Sequence, residues 1–243
     1  MSPVILDELT DAQRASWRGL LELGARVPTG WCLIGGQMVF LLCRERGAWP
    51  ARPTDDADAA LDVRARPEIV RDVTRALAEC GFASAGESME GNQQRWVRDA
   101  AQIDLVIATG VGERARRRPG VTGGSLPEAP GAQGALDRVE RVEVAVGDQV
   151  GAVWRPTLLG AIAMKAAAYA QPAGRDRVRH LLDVAVLSTL IEPRDVRGFN
   201  PSPREKARLA SLMGAVANGP SLVAAVAGAR EGFERLKLAL DLQ

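Results

Sequence analysis

Histidine is almost missing from this chain: His180 is the only one among 243 residues. A single imidazole weighs against a Ser/His/Asp triad and against zinc sites built on several histidines. Cysteine is nearly as scarce. Cys32, Cys43 and Cys80 have neither metal-ligand nor disulfide-framework spacing. Two of them sit in apolar runs, which predicts reduced core thiols and a cytoplasmic protein. Long apolar runs are missing too. "TLLGAIAMKAAAYA" is interrupted by Lys165 and falls short of the roughly 20 residues that span a bilayer, so no membrane partner is expected. The opening "MSPVILDELTDAQR" is acidic, with an apolar part too short for a signal peptide. The net charge is only +1, so any attraction to nucleic acid must come from a local patch.

Several phosphate and metal motifs are absent as well. No Gly-x-x-x-x-Gly-Lys-Ser/Thr occurs, which excludes a P-loop. Gly110-x-Gly112-x-x-Ala115 follows an apolar strand, but "RRRPGVTGG" cannot continue as the helix a dinucleotide site requires. The aspartate-rich run is no EF-hand, because Leu61 stands where the loop needs glycine.

What remains is a globular chain long enough for a sizeable core. "TDAQ" predicts a helix capped at Thr10 and ending near Gly24. "WCLI" predicts a buried strand, followed by Gly35-Gly36 and an apolar helix to Gly47. "DADAALDV" predicts a strand, and "RPEIVRDVTRALAECGF" an amphipathic helix opened by Pro67 and closed by Gly81. A hairpin turning at Asp99–Ala101 leads into the strand Ile103–Ala108, and a second turns at Gly147-Asp148. Residues 110–134, rich in Gly, Pro and Arg, are expected to form a long mobile loop. Trp96 is expected in the core. After Pro156 helical periodicity dominates, with a capping box at Ser202 and Glu205 and a last helix over "SLVAAVAGAREGFERLKLALDL". The expected architecture is α/β (α+β): a mixed sheet flanked by helices over 1–155, then a helical bundle over 156–243.

The chemistry concentrates in "IGGQMVFLLCRERGAWPARPTDDADAALDV". On a strand, Asp56, Asp58 and Asp62 share one face, and carboxylates two residues apart lie about 7 Å from each other. Asp104 is a lone charge at the start of the next strong strand. If the two strands are neighbours, Asp56, Asp58 and Asp104 meet at one point, as two-metal phosphoryl transfer requires. Gly35-Gly36, after a strand and at a helix start, would let a phosphate approach free N–H groups. Taken singly, an acidic strand end is often merely solvated and a Gly-Gly turn merely a turn. Lys165 is the one charge in an otherwise apolar helix. It either meets an anion such as a nucleotide phosphate or snorkels to water. The arginines of "ERARRRPG" (Arg114, Arg116, Arg117, Arg118) suit either an RNA backbone beside the cleft or a solubilising loop.

In this order, "IGGQ…RPTDDAD…QIDLV" resembles the nucleotidyltransferase fold shared with DNA polymerase β. "RPTDDAD" is similar to the Arg-x-Thr-x-Asp-x-Asp of AbiE-type toxin nucleotidyltransferases of type IV toxin–antitoxin systems. The resemblance implies that Asp56, Asp58 and Asp104 are the catalytic, metal-holding carboxylates, with Asp55 an extra neighbour and Asp62 outside the motif. It also implies that Gly35, Gly36, Gln37, Arg52, Thr54, Lys165 and Asp183 contact nucleotide. Arg179-His180 departs from the pattern, which commonly has a basic–acidic pair there. The implied activity is Mg²⁺-dependent transfer of a nucleoside monophosphate from a nucleoside triphosphate to a hydroxyl. The implied acceptor is RNA such as a tRNA 3′ end, and the implied protein partner is an antitoxin. A small-molecule nucleotidyltransferase of the antibiotic-modifying type and a non-catalytic nucleotide- or partner-binding descendant are the alternatives.

Overall fold

The computed structural model describes residues 2–88, 91–171, 177–218 and 225–241. The first half runs β1 (Val4–Ile5), α1 (Asp11–Arg26), β2 (Trp31–Ile34), α2 (Gly35–Arg44), β3 (Ala57–Leu61), α3 (Ile69–Glu79), β4 (Ala83–Ser84), β5 (Arg95–Arg98) and β6 (Ala101–Ala108). There follow α4 (Glu113–Arg116), β7 (Glu128–Ala129), α5 (Ala132–Leu136), β8 (Val139–Val146) and β9 (Gln149–Pro156). The helices α6 (Leu158–Tyr169), α7 (Arg177–Thr189), α8 (Pro193–Val196), α9 (Pro203–Asn218) and α10 (Ala229–Asp241) complete the chain.

Local chemistry accounts for most boundaries. The box at Thr10 and Gln13 closes on both sides, and Ser202 and Glu205 close theirs by reciprocal hydrogen bonds of 3.3 and 2.8 Å. Gly24 does not end α1, which continues to Arg26. A Cβ on Gly24 would lie 2.4 Å from the Ala152 carbonyl oxygen, so the glycine admits β9 against the helix rather than stopping it. The last helix starts later than its periodicity predicts. Residues 225–228 are turns, with Gly228 at φ +76°, and the expected start at 221 lies outside the described residues, as do 172–176 before α7.

The main sheet has strand order β2-β3-β6-β5-β4, with β7 paired to β6 beyond the end of β5. β3 and β6 are parallel neighbours, while β2–β3 and β5–β6 are antiparallel. A second sheet, β1-β8-β9, turns at Gly147-Asp148. The stretch 110–134 is not one long loop: α4 and β7 lie within it and α5 begins in it, with Ala132, Ala135 and Leu136 of that helix buried. Its Gly/Pro content marks the turns between these short pieces and hides the apolar ones.

One apolar core runs from Leu6 to Ala239 and draws on both halves of the chain. Trp17, Trp31 and Trp96 are among its largest fully buried side chains. A smaller cluster (Cys32, Ile34, Ala60, Ala108, Met164 and the apolar face of α5) backs the sheet beside the carboxylates. All three cysteines are free and buried, and burial pushes the Cys43 thiol up to about 12. Among the described residues no helix is long and apolar enough to cross a membrane.

Candidate metal and nucleotide site

Three aspartates converge where β3 begins, opposite the middle of β6. Parallel pairing sets Asp58 directly beside Asp104, at the ~4.8 Å spacing of neighbouring strands. Asp56 approaches from just before β3. One carboxylate oxygen from each of Asp56, Asp58 and Asp104 can be chosen so that all lie within 4.8 Å of one another. The Thr54 hydroxyl donates to Asp56 Oδ1 at 2.7 Å and orients it. Arg95, opposite Asp104 across the β5–β6 hairpin, donates through Nε and Nη2 to both its oxygens, at 3.0 and 2.9 Å. The two remaining aspartates of the run do other work. Asp55 accepts from the Thr10 hydroxyl at 3.0 Å. Asp62 caps the turn after β3, accepting from the backbone N–H groups of Arg64 and Ala65 at 3.2 and 3.0 Å.

The glycine pair makes room for these carboxylates. Gly35 has φ +70°, and a Cβ there would sit 1.8 Å from Asp58 Oδ2. A Cβ on Gly36 would lie 2.5 Å from Thr54 Cγ2. Both glycines line the cleft at the start of α2, whose N-cap residue Ile34 offers no side-chain cap. Gln37 faces away. It is fully buried, accepts from Trp17 Nε1 at 2.8 Å and donates to the Thr54 carbonyl at 2.7 Å. Gln13 donates to the same carbonyl at 2.8 Å. Gln37 therefore braces the segment leading into β3 and is not among the residues that line the cleft.

Lys165 is 4% exposed and does not snorkel to water. Its Nζ donates to Asp183 Oδ2 at 2.6 Å. Arg52 grips the same carboxylate through Nε and Nη2, at 3.2 and 3.1 Å. Asp183 is 2% exposed and lies behind the cleft wall, so the structure makes it a holder of Lys165 and Arg52. Those two cations do line the cleft, and one carboxylate shared between them leaves an excess of positive charge there.

The carboxylate end has the opposite imbalance. The Asp58 carboxyl is pushed up to about 7, chiefly by burial and then by the charges of Asp56 and Asp104, against the pull of Lys165 and Arg52. A divalent cation would relieve this. The donor set fits one: three hard carboxylate ligands, with the missing Gly35 side chain leaving Asp58 Oδ2 accessible, suit Mg²⁺ or Mn²⁺.

The cleft has a volume of about 320 Å³. Asp56, Asp58, Thr54, Arg52 and Lys165 stand along it, with an apolar wall of Val106, Ala129, Pro130 and Met164, and with Arg179 and His180 from α7. Sequence reasoning missed the wall from β7, because it lay in the supposed loop. It also missed Arg95, although the signal was present: a two-residue turn at Asp99-Ala100 pairs 98 with 101 and hence 95 with 104. The arginines of α4 are not beside the carboxylates. They follow the far end of β6, and Arg118 donates to the Val63 carbonyl beyond the far end of β3, at 2.9 Å.

The mixed sheet and its flanking helices form an α/β fold that has a counterpart among solved structures. An antigenic nucleotidyltransferase-like protein from Paracoccidioides brasiliensis shares it with a TM-score of 0.51 and 15% identity, over 89% of this chain and 94% of that one. No protein-family model and no curated protein matches the sequence.

Proposed function

We propose that this protein is a Mg²⁺-dependent nucleotidyltransferase that moves a nucleoside monophosphate from a nucleoside triphosphate to a hydroxyl acceptor. The observation that carries the reading is the register of Asp58 beside Asp104, with Asp56 adjoining, at one end of a cleft walled by Lys165 and Arg52. In the reaction the acceptor oxygen bonds to the α-phosphorus as the bond to the bridging β-phosphate oxygen breaks, and pyrophosphate leaves with the electron pair. Mg²⁺ supplies Lewis-acid polarisation of the phosphoryl group and neutralises charge on the leaving group. Asp56, Asp58 and Asp104 would hold the metal, and Asp104 would assist departure of the acceptor proton. Lys165 and Arg52 are held ready for phosphate oxygens by Asp183, so their orientation is set before the substrate arrives. Gly35 and Gly36 keep the backbone at the head of α2 open to a phosphate, Thr54 steers Asp56, and the apolar wall of Val106, Pro130 and Met164 receives the base.

For the acceptor we propose RNA, such as a tRNA 3′ end, in a toxin of the AbiE type that is held in check by an antitoxin. Two basic regions favour a polyanion over a cationic small molecule: the cleft cations with Arg179, and the exposed Arg114, Arg116 and Arg117 beyond the far end of the sheet. The test is incubation with Mg²⁺, each labelled nucleoside triphosphate and bulk tRNA, alongside Asp56→Ala/Asp58→Ala. Label entering RNA only with the aspartates intact supports the proposal. Nucleotide binding without transfer to RNA points instead to a small-molecule acceptor, and no metal-dependent nucleotide binding refutes the enzyme.

A further inference from the structure

Asp104 differs from its two partners in what already holds it. Asp56 is steered by a neutral hydroxyl. Asp104 meets a guanidinium on both oxygens in the planar two-bond geometry that favours arginine. The pair is built by the hairpin, since Arg95 and Asp104 are register partners and a two-residue turn fixes that register. Its two halves differ in burial: the Asp104 side chain is 13% exposed, that of Arg95 48%. The carboxylate is fixed in the sheet, whereas the guanidinium lies at the solvent side and has water to turn into.

Resting on the metal-dependent reading above, we propose that Arg95 is a latch on the third metal ligand. It occupies Asp104 until a divalent cation displaces it. The carboxylates then fill in two unequal steps, Asp56 and Asp58 first and Asp104 second, as Arg95 turns out to solvent. A cation held by all three aspartates would need an Asp104 oxygen that Arg95 now holds, and the two positive charges would repel across that short distance. No comparable competitor sits on Asp56, because Thr54 carries no charge. Arg95 is thus a positioning residue, acting through Asp104.

The test is a Mn²⁺ titration of the full chain followed by electron paramagnetic resonance, with circular dichroism to show that each variant folds. The wild type is expected to bind two ions unequally. Arg95→Ala is expected to tighten the weaker site about 2- to 5-fold, the scale of losing one half-exposed ion pair, with the stronger site changed less than about 1.5-fold. Arg95→Lys keeps the charge and loses the two-bond grip, so the latch predicts a partial gain at the weaker site. A lysine variant equal to wild type, or an alanine variant that gains equally at both sites, reduces Arg95 to a background charge and overturns the latch. Two unequal sites unaffected by Arg95→Ala overturn the latch and leave the metal reading standing. No Mn²⁺ bound by wild type or Arg95→Ala overturns both.

Discussion

Gly35→Ala separates what the glycine does for the backbone from what it does for the site. Gly35 has φ +70° and Gly47 φ +66°, so alanine at either position carries a similar left-handed strain of roughly 1–2 kcal/mol. Their surroundings differ completely. A Cβ at Gly47 meets nothing within 4 Å, while one at Gly35 lands 1.8 Å from Asp58 Oδ2 and 2.6 Å from its Cγ. Restoring an ordinary C···O separation of about 3.3 Å means driving Oδ2 back by roughly 1.5 Å, into a place already crowded by Asp56, Asp104 and Thr54. Overpacking of this kind costs about 1–3 kcal/mol. Urea denaturation should therefore give Gly47→Ala a loss of ~1–2 kcal/mol and Gly35→Ala a further ~1–3 kcal/mol, with Mn²⁺ affinity lost only in the latter. In Gly35→Ala/Asp58→Ala the colliding oxygen is gone and the excess should largely vanish. Equal losses for the two glycine variants, or an excess that survives removal of the Asp58 carboxylate, would refute the claim that Gly35 exists to clear Asp58.

The raised Asp58 carboxyl has a sign that can be checked. Between its ordinary value of 3.8 and about 7, the folded protein keeps a proton that the unfolded chain has released. This group's contribution thus makes stability fall as pH rises through that window, by at most about 4 kcal/mol. Denaturation at pH 5 and pH 8 should show the fall in wild type and a smaller one in Asp58→Asn, and Mg²⁺ should raise the melting temperature more at pH 8 than at pH 5. Asp183→Asn leaves Lys165 and Arg52 without their shared counter-charge and should cost roughly 3 kcal/mol in the same assay, together with weaker triphosphate binding by calorimetry. Gln37→Leu strands Trp17 Nε1 and removes one of the two donors to the Thr54 carbonyl, and should cost about 1–3 kcal/mol. If Gln37 were instead a direct nucleotide contact, triphosphate affinity would fall with stability unchanged.

The sequence by itself determined the local half of this protein. The capping boxes at Thr10 and Ser202, the turn at Gly147-Asp148, the strand "WCLI" and the strand that carries Asp58 follow from spacing and side-chain chemistry within a few residues, and the structure has them. Arg95 beside Asp104 was also within reach, because a two-residue turn fixes its whole hairpin. Tertiary structure decided the rest. That β3 and β6 are parallel neighbours, so that Asp58 meets Asp104, depends on a crossover through α3 that no local period encodes. The chain alone marked Lys165 as a cation that either meets an anion or snorkels to water. Only the packing of α6 on α7 supplied Asp183, with Arg52 arriving from before β3. The glycines show the division most plainly: a positive φ can be suspected from sequence, but whether a missing Cβ ends a helix, admits a strand at Gly24 or clears a carboxylate at Gly35 is set by what stands within 4 Å, and that atom comes from elsewhere in the chain.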